Sequence, residues 1–336
     1  MCFHWATFAL IATAAFGAEA NAGKQKGHAD RAVLQRRPVF DAASIDNPNQ
    51  PNVAPGNTGS GVVRTQILLG RAHFSSGEID GNFGSNLSKS LAAYQQERQL
   101  PASGIVDRAT WAALNADSAP ALMDYRISAE DEQGPFVPVP ADLMDQAKLP
   151  ALGYASPIEE LAERFHASPG LLQALNARTD FTKAEVTVTV PNVLSMPPGK
   201  AANVVVSKSE SSVRAYDAEG KLLAFFAATI GSEHDPLPVG DWKIRGVSRN
   251  PEFHYTASLF WDSKSPDEKA VLPPGPNSPV GSVWIDLSRE HYGIHGTPEP
   301  SMIGHTTSHG CIRLTNWDAL ELAAMVKPGT PAILKE

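Results

Sequence analysis

Cys311 stands in the run Ser308-His309-Gly310-Cys311-Ile312-Arg313, and His295-Gly296-Thr297 lies upstream, with thirteen positions from Gly296 to Ser308. A thiol attacks as its thiolate. A free cysteine titrates at about 8.5, so at neutral pH only a few per cent is ionised. Cys311 therefore needs a base or a cationic neighbour, and two histidines are available, one adjacent and one distant. Gly310 has no Cβ to keep a bound substrate away from the backbone. Consecutive amides at Gly310 and Cys311 can form an oxyanion hole. Arg313 is a permanent cation suited to a substrate carboxylate. Together these residues point to covalent catalysis by cysteine. A metal site is the competing chemistry, because His295, His305, His309 and Cys311 are all ligand types. No C-x-x-C or H-E-x-x-H spacing occurs, so we expect no metal and no cofactor. His305 reads as a loop residue. Asp286 and Glu290 read as solvated acids, and Trp284 and Tyr292 as half-buried strand residues beside the cleft.

The 336 residues are 42% hydrophobic and 19% charged, the balance of a globular protein of two to three domains. The net charge of −8 argues against a nucleic-acid partner, which calls for a basic face. At the N-terminus an apolar run, Trp5 to Phe16, precedes Ala18-Glu19-Ala20, and no Lys or Arg comes before it. Too short to anchor in a bilayer, it reads as a secretory signal over 1–22, cleaved near Ala20 or Ala22. Export to the periplasm or cell envelope, with no stable membrane insertion afterwards, is the expectation. Of the two cysteines, Cys2 leaves with the signal. Cys311 then has no disulfide partner in an oxidising space, which marks it as a reactive thiol.

Behind the signal, residues 23–60 read as a disordered linker, basic to Arg37 and then rich in Pro, Asn, Gly and Ser. Residues 61–116 carry three short helical patterns separated by glycine turns. Within them, Asp80-Gly81-x-Phe83-Gly84, Ala93-Tyr94-Gln95, Leu100-Pro101, Gly104-Ile105-Val106-Asp107 and Thr110-Trp111 resemble the peptidoglycan-binding domain of cell-wall enzymes. Residues 117–151, proline-rich and acidic, read as an extended connector. In 152–193, Ile158, Leu161, Ala162 and Phe165 line one helix. Leu171, Leu172 and Leu175 line a second, and a β-branched run from Val186 to Val190 follows. This helix-helix-strand order with Leu172-x-x-Leu175-Asn176 resembles a LysM glycan-binding module. Tyr154-Ala155-Ser156-Pro157 stands where that module opens Gly-Asp-Thr-Leu, which leaves a glycan binder or a degenerate spacer as readings.

From Asn203 the chain is β-like, with strands at 204–206, 213–216, 222–230, after Pro238-Val239-Gly240, at 283–287 and at 293–295, then a helix from Trp317 to Val326. Phe253 to Pro279 reads as a Pro/Ser-rich insert forming part of the cleft wall. The fold expected overall is multidomain α+β, with a mainly β, sandwich-like domain over 203–336. His-Gly-Thr, a loop, then Ser-His-Gly-Cys-x-Arg resembles the active-site signature of the L,D-transpeptidases of the YkuD type.

That resemblance implies that Cys311 is the nucleophile and His295 its general base, oriented through its second ring nitrogen. It places His309 beside the thiol and gives the oxyanion amides to Gly310 and Cys311. Ser308, Arg313, Gly296 and Thr297 would contact or shape the substrate site. The implied substrate is a peptidoglycan stem tetrapeptide, attacked at the carbonyl of its diamino acid with loss of D-alanine. The thioester passes to an acceptor amine to make a 3-3 cross-link. Water as acceptor would give an L,D-carboxypeptidase, and a protein lysine would give protein-to-wall tethering. Partners would be stem peptides and glycan strands. Two readings compete. A non-catalytic wall-binding scaffold has no need of an unpaired thiol, and a cysteine endopeptidase would carry a different motif around its cysteine. The chain has no Ser-x-x-Lys, the mark of serine enzymes acting on D,D stems.

Overall fold

A computed structural model describes residues 40–260 and 267–336. The expected signal sequence lies outside the described residues, as does the linker up to residue 39.

The segment 40–60, expected to be a disordered linker, is ordered from Phe40 onward. A short helix α1 (Ala42–Asp46) is capped by the Asp41 carboxylate, which accepts from the Ser44 amide at 2.9 Å. Ile45 is fully buried, and Val53 exchanges both backbone hydrogen bonds with Val106, at 3.0 and 2.7 Å. Partners more than fifty positions away supply this order, so local composition carries no sign of it. Helices α2 (Ser60–Arg71), α3 (Ser85–Glu97) and α4 (Arg108–Leu114) follow, with strand β1 (Phe74–Ser75) between the first two. Asp107 caps α4 through the Thr110 amide.

The expected extended connector is also structured. It holds β2 (Leu122–Arg126), α5 (Ala129–Gln133) and α6 (Leu143–Gln146). Beyond it come α7 (Pro157–Arg164), α8 (Pro169–Leu175) and β3 (Thr187–Pro191). Ser156 and Ser168 cap α7 and α8, each with proline in the first turn, where its missing N–H costs nothing. β2 pairs antiparallel with β3, Asp124 opposite Thr189. The unit at 152–193 is thus completed by a strand from the connector, joining two helices to a two-stranded sheet.

The C-terminal region contributes β4 (Asn203–Ser207), β5 (Ser212–Tyr216), β6 (Leu222–Ala227), β7 (Thr229–Ile230) and the long β8 (Gly240–Arg249). The insert forms a hairpin of β9 (Phe253–Thr256) and β10 (Lys269–Leu272). β11 (Val283–Leu287), β12 (Gly293–His295), β13 (Ile312–Arg313), α9 (Asn316–Met325) and β14 (Pro331–Lys335) complete the chain. Ten strands join in the order β1-β6-β5-β4-β14-β8-β11-β12-β13-β7.

Two features bend this sheet into sandwich-like halves. β8 pairs with β14 through Gly240 to Lys243 and with β11 through Ile244 to Arg249, so one strand serves both halves. The expected single strand 222–230 breaks at Ala228, whose amide donates to Ser211 O. Its first part pairs with β5 and its last two residues with β13. Val204, Val213 and Phe226 from one half meet Ile285, Ile294 and Ile312 from the other in one core, joined by Leu322 and Met325 of α9.

The helical units are fused to this sheet rather than tethered to it. β1 lies parallel to β6 and extends the sheet at its edge, with Phe74 opposite Phe225. Leu222 and Phe225 are buried with Leu69, Phe74, Leu87, Leu91 and Trp111 of the three-helix unit. Burial of a side chain of this size stabilises by about 1.5–3 kcal/mol. On its other side Val63 and Ile67 of the three-helix unit, with Ile45 of α1, share a core with Leu161, Phe165 and Val188 of the α7/α8 unit. Polar contacts add to this: Ser75 Oγ donates to Asp318 Oδ2 at 2.9 Å, and Asn86 Nδ2 to Ile303 O at 2.8 Å.

Candidate active site

In a strand successive side chains alternate between faces, and residues in register across a ladder share a face. Ile285, Ile294 and Ile312 point into the core and are fully buried. Their neighbours must therefore point the other way. β12 runs parallel to β13 with Ile294 opposite Ile312 and His295 opposite Arg313. One position earlier the same register sets Cys311 beside Gly293. Cys311, His295 and Arg313 consequently share the outer face of two adjacent strands, with Cys311 diagonal to His295. Diagonal neighbours across a strand pair lie about 7–8 Å apart at the backbone, within reach of a long or aromatic side chain.

β11 flanks β12 on its other side and sets Trp284 opposite His295. The two rings stack with centroids 5.3 Å apart and planes 16° from parallel. Gly293 makes this possible, because a Cβ there would meet the Trp284 ring at 2.4 Å.

His295 is 4% exposed. Its Nδ1 lies 2.7 Å from the carbonyl oxygen of Gly296. A carbonyl can only accept, so Nδ1 carries the proton and Nε2 the lone pair. Burial lowers the ring's pKa to about 3, aided by the positive charge of Arg313 and opposed by the bond to Gly296. The imidazole is therefore neutral, in the tautomer that a base needs.

Cys311 is half-buried and is a free cysteine. Burial pushes its thiol up, while the Gly293 amide and the nearby Arg313 charge pull it down. Sγ lies 3.8 Å from His291 O. Arg313 is itself pushed down by burial, and Cys311 and Glu299 favour its charged form.

Gly310 sits at φ +94°, and a Cβ there would meet the Tyr292 ring at 2.8 Å. Glycine is demanded twice over, by conformation and by space. His309 meets Phe260 of the insert edge-on, ring centroids 5.0 Å apart, so the insert reaches the neighbourhood of the cysteine.

Two residues expected at the substrate are turned inward. Ser308 is 3% exposed. Its Oγ donates to Cys311 O at 2.5 Å and accepts from the Gly231 amide at 2.8 Å. It braces the cysteine turn against the end of β7. Thr297 is also buried, with Oγ1 accepting from the Glu299 amide at 3.2 Å. Gly296 is packed so closely that a Cβ would lie 2.0 Å from Asn316 Oδ1. Both act on the loop's shape. His305 lies exposed on that loop.

Asn316 and Phe260 were missed by the sequence reading. The hint for Asn316 was Thr315, which caps α9 and so fixes the residue after it at the helix start. Trp284, expected as a half-buried strand residue beside the cleft, is set over His295 by the register of β11. A cleft of about 370 Å³ opens where α2, α7 and α9 meet, lined by residues that include Glu163, His166, Trp317 and Asp318, with neither Cys311 nor His295 among them. Among the described residues no group of three or more His, Cys, Asp and Glu is arranged to hold a metal ion. None of the described helices is long and apolar enough to cross a membrane.

Comparison with known proteins adds to this geometry. Residues 201–334 match the family model described as "L,D-transpeptidase catalytic domain", and residues 58–114 the model described as "Putative peptidoglycan binding domain". The chain is 56% identical over 57 residues to a protein of Bacillus licheniformis named "Putative L,D-transpeptidase YkuD", covering 17% of this chain and 34% of that protein. It is 27% identical over 184 residues to "Probable L,D-transpeptidase YbiS" of Escherichia coli strain K12, covering 53% of this chain and 60% of that one. The chain thus spans between a third and three fifths of the length of these relatives. Among solved structures, an L,D-transpeptidase from Xylanimonas cellulosilytica aligns with a TM-score of 0.36 at 16% identity, over 86% of this chain and all of that one. Two resemblances read from the sequence, the catalytic domain and the peptidoglycan-binding domain, are each met by a family model.

Proposed function

We propose that this chain, whose residues 201–334 match the L,D-transpeptidase catalytic domain, is a cysteine-dependent peptidoglycan L,D-transpeptidase of the cell envelope. The observation that carries the reading is the β12–β13 register, which sets Cys311 and His295 on one face of adjacent strands.

The reaction runs in two halves. Cys311 Sγ attacks the carbonyl of the diamino acid at position three of a stem tetrapeptide. His295 Nε2 takes the thiol proton as the S–C bond forms, and its Nδ1–H stays fixed on Gly296 O. Both resting partners are neutral, so proton transfer accompanies attack and no thiolate need accumulate. The tetrahedral oxyanion is met by the amides of Gly310 and Cys311, with His309 beside them. Collapse expels D-alanine, whose amine takes the proton from His295, and a thioester remains on Cys311. An acceptor amine from a second stem then repeats the steps in reverse and leaves a 3-3 cross-link. Arg313 is suited to a stem carboxylate.

The fused units support a wall-directed role. Residues 58–114 match a peptidoglycan-binding family, and their strand β1 is part of the catalytic sheet. A glycan held there would stand at a fixed distance from Cys311. The order α7, α8, β3, with β2 of the connector paired to β3, supports a LysM-like reading of the middle unit, as a glycan binder or as a degenerate spacer.

Incubating the protein with a disaccharide-tetrapeptide and following mass tests the reading. Loss of alanine with formation of a dimer is expected. Loss of alanine without a dimer would make water the acceptor and the enzyme a carboxypeptidase. An unchanged tetrapeptide, with the protein still pelleting with sacculi, would leave only the scaffold.

A further inference from the structure

Asn316, at the first position of α9, is 1% exposed, and all three of its described side-chain hydrogen bonds run to other parts of the chain. Its Oδ1 accepts from the Ser282 amide at 2.9 Å. Its Nδ2 donates to Pro276 O at 3.0 Å and to Glu163 Oε1 at 2.9 Å. The same Oδ1 presses on Gly281 and Gly296, where an added Cβ would come within 2.0 Å in each case. Gly296 is the residue whose carbonyl fixes the His295 proton.

Glu163 belongs to α7, in the unit fused ahead of the catalytic region. That unit grips the same backbone at further points. Leu152 N donates to Pro274 O at 3.0 Å and Asn277 N to Leu152 O at 2.9 Å. Asn277 Nδ2 reaches Glu159 Oε1 at 2.7 Å. Residues 274–282 are thereby bolted to α7 and its approach, and Gly281 among them lies against Gly296.

We infer that Glu163 is a positioning residue for His295, acting through Asn316, so that the α7/α8 unit forms part of the active site's framework as well as being a neighbour of it. Of the two acceptors that orient the Asn316 amide, Pro276 O is one and Glu163 provides the other. With that acceptor in place, Asn316 Oδ1 faces Ser282 and Gly296, and the Gly296 carbonyl stays aimed at Nδ1. Without it one buried Nδ2 hydrogen is left unpaired, Pro276 O and the Ser282 amide hold the amide alone, and the side chain shifts far enough to loosen the buried Gly281–Gly296 contact. What is required is an acceptor, not a charge. Burial raises the Glu163 carboxyl to about 7, so its neutral form is already accessible near neutrality. The inference rests on His295 being the base of the proposed reaction.

The test compares Glu163→Leu with Glu163→Gln in the full chain. Two quantities are read: the His295 Nδ1–H resonance by NMR, and the rate of Cys311 alkylation by iodoacetamide at pH 7. Glu163→Leu should shift or broaden the resonance and slow alkylation by about tenfold or more, since an ångström of misplacement is costly. Glu163→Gln, which keeps an acceptor for Asn316, should restore both. If the leucine variant does not fold, Glu163→Ala takes its place. An unmoved resonance in a folded variant lacking the acceptor would overturn the inference, and so would a glutamine variant that behaves like the leucine one. A His295→Gln control separates the two ideas. If it leaves alkylation unchanged, the base assignment fails, while the resonance still reports whether Glu163 positions the ring.

Discussion

The indole of Trp284 lies flat against the imidazole of His295, ring centroids 5.3 Å apart and planes 16° from parallel. The indole covers one face of the base, while the Nδ1–H edge is held by Gly296 O. Burial is the main reason the imidazole titrates near 3. Trp284→Ala should therefore raise the His295 pKa toward the ordinary 6.5, as an NMR titration of the ring would show. The substitution opens one face to water, and water favours the charged ring. An unchanged value would mean that the indole plays no part in excluding solvent.

A thiol pushed up and an imidazole pushed down leave the resting pair neutral. The ultraviolet absorbance of the Cys311 thiolate, followed against pH as the difference from Cys311→Ala, should therefore rise through a single step at or above the usual thiol range. Thiolate absorbance already present between pH 5 and 7 would indicate a preformed thiolate–imidazolium pair, and the concerted proton transfer would have to be abandoned.

Ser308 joins the cysteine turn to the start of the chain beyond β7 through Cys311 O and the Gly231 amide. Ser308→Ala leaves that buried amide without its acceptor. The cost should be about 1–3 kcal/mol, measured by chemical denaturation. Activity should fall as well, because the carbonyl being held is that of the nucleophile. A variant as stable as the parent would show that water or a shifted backbone takes over the bond.

Asp318 is buried on α9, and burial raises its carboxyl from 3.8 to about 8 against the hydrogen bonds from Thr315 and Ser75. Between those values the folded chain holds a proton that the unfolded chain has released. The group's contribution is thus fully present below 3.8 and is lost as pH rises toward 8. His295 and His166, both near 3, act in the opposite sense, and their contribution is lost as pH falls from 6.5 toward 3. Asp318→Asn removes only the first effect. Its melting temperature should gain on that of the wild type from pH 5 to pH 8, and a constant difference would contradict the assignment.

Residue types and spacing pointed to the group that the β12–β13 register brings together, while much of the framework was not legible. The Cys311 run and His295 could be picked out because a thiol, two imidazoles and a flexible glycine together have few other uses. The inward turn of Ser308 could not be read, since a hydroxyl suits a substrate or a backbone equally and only the position of Gly231 decides. The strands at 283–287 and 293–295 could be located from their composition, but the pairing of β13 with β7 depends on the break at Ala228, which no local signal marks. The linker and connector were misjudged for one reason. Ile45, Val53 and β2 are ordered by Val106, Leu161 and β3, partners too distant for composition or periodicity to register. The same blindness made the modules look like separate beads, whereas Phe74 and Phe225 bind them into one body.

The central claim is that Cys311 carries the acyl group. Intact-protein mass spectrometry after brief exposure to a disaccharide-tetrapeptide, followed by peptide mapping, tests it most directly. The account predicts an adduct equal in mass to the donor less D-alanine, attached to Cys311 and absent from Cys311→Ala. Turnover of the tetrapeptide by Cys311→Ala at the wild-type rate, or an adduct mapped to another residue, would contradict it.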